Sequence, residues 1–150
     1  MNDLDDIFQP DAPGARDPLG VPALVLAPAV LRMVITGKEI ETELDALVTA
    51  VGALQGTAGF MHGFIYEMAS DLAQRVADGG TRGLAEAAKA GLDEDEKALA
   101  LQIALAAVFS SPLGEDGDIG VLSAIAERMG VREKDFGAAY DSARRAVAQP

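Results

Sequence analysis

Residues 46–66 read ALVTAVGALQGTAGFMHGFIY, a run without a single Asp, Glu, Lys or Arg. Its reading decides between a membrane span and a bundle of helices. About 20 predominantly apolar residues suffice to cross a bilayer, so the length alone permits a span. Thr49, Gln55, Thr57, His62 and four glycines dilute the run, however, and no polybasic flank is present to orient it. The run is therefore read as parts of two helices. Within it Gly52, Gly56, Gly59 and Gly63 recur at steps of four, three and four, which puts them in one stripe of a helix. Each interior glycine costs about 1 kcal/mol relative to alanine, so either the helix breaks or something offsets the loss. The spacing predicts a helix end at Gly52 and close approach of a neighbouring backbone at Gly59 and Gly63. A homodimer contact through the same stripe is the alternative.

Amphipathic periodicity extends on both sides. EIETELDALVTAVGAL (39–54) places Ile40, Leu44, Leu47, Val48 and Val51 on one face and Glu39, Glu43 and Asp45 outside it. FMHGFIYEMASDLAQRVADGG (60–80) predicts a helix closed by Gly79 and Gly80. Upstream, ALVLAPAVLRMVITG (23–37) is apolar almost throughout and ends in Gly37, the pattern of a buried helix ending near Ile35 that Pro28 kinks or starts. Downstream come a short helix over 82–90, then Asp93 with Glu96 three residues on as a capping-box variant opening KALALQIALAAVF. Pro112 and Gly114 end that helix, and IGVLSAIAERMG and EKDFGAAYDSARRAVA complete seven. No convincing alternating β-branched segment competes, so the fold class expected is all-α, a compact bundle.

Length and charge narrow the function. A chain of 150 residues supports one core. Residues 1–20 hold five Asp and three Pro with few apolar anchors, which predicts a disordered acidic tail before one domain over 21–150; Leu4, Ile7 and Phe8 within it read first as chance hydrophobes in a solubilising tail and, as the alternative, as a short docking motif. The N-terminus lacks the basic region of a secretory signal, which predicts a cytoplasmic address. Without Cys there is no thiolate site or disulfide. A net charge of −12 opposes nucleic acids and anionic membranes and favours cations or basic partners.

Two segments share a form: AVLRMVITGKEIETELDALVTAV (29–51) and ALAAVFSSPLGEDGDIGVLSAIAERMGV (104–131). Each is a buried helix, a Gly with acidic neighbours, and a second amphipathic helix opening at an Ile, so the bundle contains an internal pseudo-repeat. With EDGDI followed by IAERMGVREKDF, this layout resembles the TerB-like family associated with tellurite resistance and related stress systems, over roughly residues 22–147. The resemblance implies a non-enzymatic helical protein whose acidic clusters bind a divalent metal, acting alongside membrane-associated and other stress proteins.

The residues suggest the same site independently. Glu39 and Glu43 lie one helical turn apart, as do Glu41 and Asp45, so carboxylate pairs share a face where repulsion favours a cation. Glu115, Asp116 and Asp118 occupy a Gly-bearing loop. If the two turns of the pseudo-repeat meet, one Ca²⁺ or Mg²⁺ site draws on Glu39, Glu43, Glu115, Asp116 and Asp118. The plain alternative is that these acids open helices, where the macrodipole favours them, and are otherwise solvated. The loop is not an EF-hand, because Gly120 and Val121 stand in its fifth and sixth places. His62, the only histidine, has no Cys or second His to complete a zinc site and reads as a core or interface residue.

Catalysis is not expected: Ser110, Ser111 and Ser123 have no nucleophile elbow, and GGTRG (79–83) lacks the ending of a phosphate loop. Two rivals to a cation-binding stress protein stand. Residues 118–147 scan as a helix-turn-helix with Ala126, Gly130 and Phe136 at its small, turn and core places; residues 118–150 balance five acids against five bases, which offers DNA no net attraction. A metal-free protein–protein adaptor is the other.

Overall fold

The computed structural model describes residues 20–55 and 62–148, apart from the side chains of Gln55 and His62. The acidic tail, Gly56, Gly59 and the environment of the His62 side chain therefore lie outside the described residues.

Eight helices and no strand make up the described chain: α1 (Val21–Val25), α2 (Ala27–Thr36), α3 (Ile40–Gln55), α4 (His62–Gly79), α5 (Thr81–Gly91), α6 (Glu94–Ser110), α7 (Asp116–Arg128) and α8 (Glu133–Ala148). The eighth arises at Pro28. Proline cannot donate the hydrogen bond a continuous helix needs, but its fixed φ suits a first turn; the chain pauses at Leu26 and restarts with Pro28 near the N-terminus of α2. Gly37 then ends α2 in the left-handed region (φ 67°). Gly80 performs the same service after α4 (φ 90°), and Gly130 between α7 and α8 (φ 79°).

The start of α6 follows its sequence closely. Asp93 accepts a hydrogen bond from the Glu96 amide (2.8 Å), and the Glu96 carboxylate accepts one from the Asp93 amide (2.9 Å). From Ala100 to Val108 nearly every side chain of α6 is buried, and the helix packs against α1, α2, α3, α7 and α8. A helix apolar on every side must be enclosed on every side, and α6 is the central rod of the bundle. Phe109 meets Tyr140 of α8 edge to face, with ring centroids 5.3 Å apart.

Two expectations about glycine are corrected. Gly52 does not end its helix: α3 runs through it to Gln55, because one glycine costs about 1 kcal/mol while the turn around it carries Ala50 and Val51, both fully buried. Nor does Gly63 admit a neighbouring backbone among the described residues, since a Cβ there would meet none of them within 4 Å. Close approach occurs elsewhere. A Cβ on Gly91 would lie 2.5 Å from Leu24 Cδ1, and one on Gly114 would lie 2.2 Å from the Val108 carbonyl oxygen. Among the described residues no helix is long and apolar enough to cross a membrane.

Candidate functional site

The two turns of the pseudo-repeat meet. Lys38, just past Gly37 in the α2–α3 turn, donates a hydrogen bond to the Leu113 carbonyl in the α6–α7 turn. The same ammonium lies 3.3 Å from Asp118 Oδ2 and 3.5 Å from Glu115 Oε2.

Beneath it is a charge cluster closed to water. Arg32, on α2, is 0% exposed, as is Glu43 on α3, and Asp118 on α7 is 2% exposed. Arg32 Nη1 and Nη2 donate to Glu43 Oε1 and Oε2 at 2.6 and 3.2 Å, the forked geometry in which guanidinium and carboxylate bind best. Arg32 Nη1 also lies 3.6 Å from Asp118 Oδ1. Asp118 Oδ2 accepts a hydrogen bond from the Glu115 amide (2.8 Å), which fastens the first turn of α7. Among the described residues, Arg32 Nε and Asp118 Oδ1 are buried without a hydrogen-bond partner. Burial of that kind costs about 1–3 kcal/mol per group.

The sequence-predicted ligands separate into two groups. Glu43 and Asp118, from the two halves of the pseudo-repeat, converge on Arg32, and Glu115 reaches the edge of the cluster through Lys38. Glu39, Glu115 and Asp116 are exposed, and the Glu39 carboxylate accepts a hydrogen bond from Thr42 Oγ1 (3.0 Å). Nor do Asp116 and Asp118 sit in a loop: both belong to the first turn of α7, with Glu115 at the N-cap. Among the described residues no group of three or more His, Cys, Asp or Glu side chains is arranged to hold a metal ion. Ca²⁺ takes six to eight oxygen ligands, and the two carboxylates that converge here already face an arginine and a lysine. The donor set fits an internal cation better than a divalent one.

Sequence reasoning passed over Arg32 and Lys38, the residues that organise this cluster. The signal was present: Arg32 is the only charge between Val21 and Gly37, and an arginine in a buried helix requires a buried acid.

The helix-turn-helix segment has its expected local form. Ala126 is buried, Gly130 supplies the left-handed turn, and Phe136 packs against the core. Its charges do not favour DNA. Glu133 and Asp135 occupy the first turn of α8, the end that in a helix-turn-helix enters the major groove between the phosphate strands, and Arg132 Nε donates to Asp135 Oδ2 at 2.9 Å. That hydrogen bond and the adjacent negative charge raise the Arg132 pKa above its ordinary value.

No protein-family model, no curated protein and no solved structure matches the chain.

Proposed function

We propose that the protein is a non-enzymatic helical adaptor, of the stress-associated kind that its TerB-like layout suggests, whose acidic elbow is held shut by its own cations. One observation carries this reading: the Arg32 guanidinium occupies the place between Glu43 and Asp118 where a cation bridging the two helical hairpins would have to lie. The cluster supports a fixed scaffold. Its two buried acids are matched by two bases, Arg32 and Lys38, and the pairs tie α2, α3 and α7 together. Binding of Ca²⁺ or Mg²⁺ at Glu39, Glu43, Glu115, Asp116 and Asp118 is the competing reading, and an unpartnered oxygen on Asp118 favours it.

Melting temperature against divalent concentration separates the two. A native-state site with ligand at 100 times its Kd gains about 2.7 kcal/mol, which is about 5–11 °C in a domain of this size. The adaptor reading expects 5 mM CaCl₂ or MgCl₂ to shift the melting temperature no more than NaCl of equal ionic strength. Saturable stabilisation that disappears in Glu115→Gln/Asp116→Asn would overturn it in favour of the metal. Those two exposed acids are the useful variants, because Asp118 also fastens α7.

A further inference from the structure

The two large hydrophobic side chains that stand exposed among the described residues are Ile35, 49% exposed, and Leu113, 38% exposed. They are far apart in sequence but flank the contact that Lys38 makes: Ile35 lies in the last turn of α2, three residues before Lys38, and Leu113 lies in the α6–α7 turn, where its carbonyl accepts the Lys38 hydrogen bond. Around these turns Glu39, Glu41, Glu115 and Asp116 are exposed. Lys38 is shared between Asp118 and Glu115 and Arg32 is taken by Glu43 and Asp118, so two bases face two buried and four exposed acids, and the turns keep a net negative charge. We propose that the elbow formed by the end of α2, the α2–α3 turn and the α6–α7 turn docks a short basic segment of another protein, which sets apolar side chains against Ile35 and Leu113 and its bases against the four carboxylates. The proposal rests on the adaptor reading and names that adaptor's surface.

Charge selects the occupant. A second copy of the chain brings −12 to an acidic face, and the chain's own residues 1–19, although they carry Leu4, Ile7 and Phe8, hold five Asp against one Arg. Both are repelled. A basic segment is attracted, and burial of apolar area supplies affinity that salt does not screen.

The test uses a fluorescein-labelled, amidated dodecapeptide of Lys and Leu in helical spacing, titrated with the full chain by anisotropy at 150 mM NaCl, and a partner peptide with every Lys replaced by Glu. Binding of the Lys peptide alone is expected. Ile35→Ser/Leu113→Ser and Glu115→Gln/Asp116→Asn should each weaken it by about tenfold or more. Glu94→Gln/Asp95→Asn, which removes the same charge from exposed positions at the start of α6, should leave it unchanged. All six positions are exposed, and a thermal melt of each variant checks that the fold is kept, Glu115 above all, because it stands at the N-cap of α7 and lies 3.5 Å from Lys38. The proposal is overturned if the α6 pair weakens binding as much as the elbow pair, or if loss of Ile35 and Leu113 has no effect. It also falls if sedimentation shows a dimer that the Ile35/Leu113 variant dissolves, or if deletion of residues 1–19 strengthens binding more than about tenfold, an effect beyond the ordinary scale of charge screening. These outcomes leave the adaptor reading in place, which only the divalent titration removes.

Discussion

Arg32 is the residue on which the interior depends. A guanidinium with no exposure is tolerated because Glu43 meets it in a two-pronged pair and Asp118 lies beyond. Such pairs seldom add net stability, yet removing one member alone costs about 3–5 kcal/mol, since the other is left charged and buried. Arg32→Met is therefore expected to lower unfolding free energy by about 3–5 kcal/mol, read as a reduced urea midpoint at unchanged slope. Arg32→Met/Glu43→Leu should regain most of that loss, because Lys38 still accompanies Asp118 at 3.3 Å. A double variant as unstable as the single one would mean that the shape of the pair, not its charge balance, holds α2 to α3. At this scale the sequence was half legible. The acids were visible as acids, and Glu43 stands i+3 from Ile40 and i−4 from Leu47, at the rim of the apolar face, but a rim position is compatible with either solvent or burial and only the counter-charge of Arg32 decides it. Lone bases in apolar surroundings are the better signal, because they demand a counter-charge that must come from elsewhere in the chain.

Elements were more legible, for the physical reason that their ends are local chemistry. Gly37, Gly80 and the Asp93–Glu96 box act where the sequence places them. Gly52 misled because a glycine's local cost was weighed without the tertiary burial around it, and the stripe of glycines misled because spacing fixes a face and not what lies opposite. The structure now sorts glycines by sign. A Cβ at Gly114 would lie 2.2 Å from backbone oxygen at Val108, which cannot yield without moving the end of α6. Gly137 is an exposed interior position of α8 with nothing within 4 Å of an added Cβ. Gly137→Ala should stabilise by about 0.5–1 kcal/mol through helix propensity, and Gly114→Ala should destabilise by about 1–3 kcal/mol through overpacking. Thermal melts of both variants supply the comparison. If Gly114→Ala melts with the parent protein, the α6–α7 turn is looser than its geometry implies.

For the molecule as a whole, charge and burial act at different ranges. Excess acid gives the chain −12, and its exposed members repel one another across the surface, whereas the Arg32–Glu43 pair is sealed from counter-ions. Salt therefore reaches the repulsion and not the pair. The Debye length falls from about 30 Å at 0.01 M ionic strength to about 8 Å at 0.15 M, a contraction from the span of the domain to the spacing of neighbouring side chains. Self-repulsion of a highly charged chain destabilises its compact state, so raising NaCl over that interval should raise the melting temperature, by a few degrees for each kcal/mol of repulsion removed, about 2–4 °C in a domain of this size. Exposed ion pairs work against this trend, but they are weak: Arg132 and Asp135, paired at 2.9 Å, are both substantially exposed, and pairs of that kind contribute about 0–1 kcal/mol each. A melting temperature that fell with NaCl would show that the exposed pairs outweigh the net charge. The electrostatics of this bundle would then be governed by local partners, and the case for long-range attraction of a basic segment to its elbow would weaken with it.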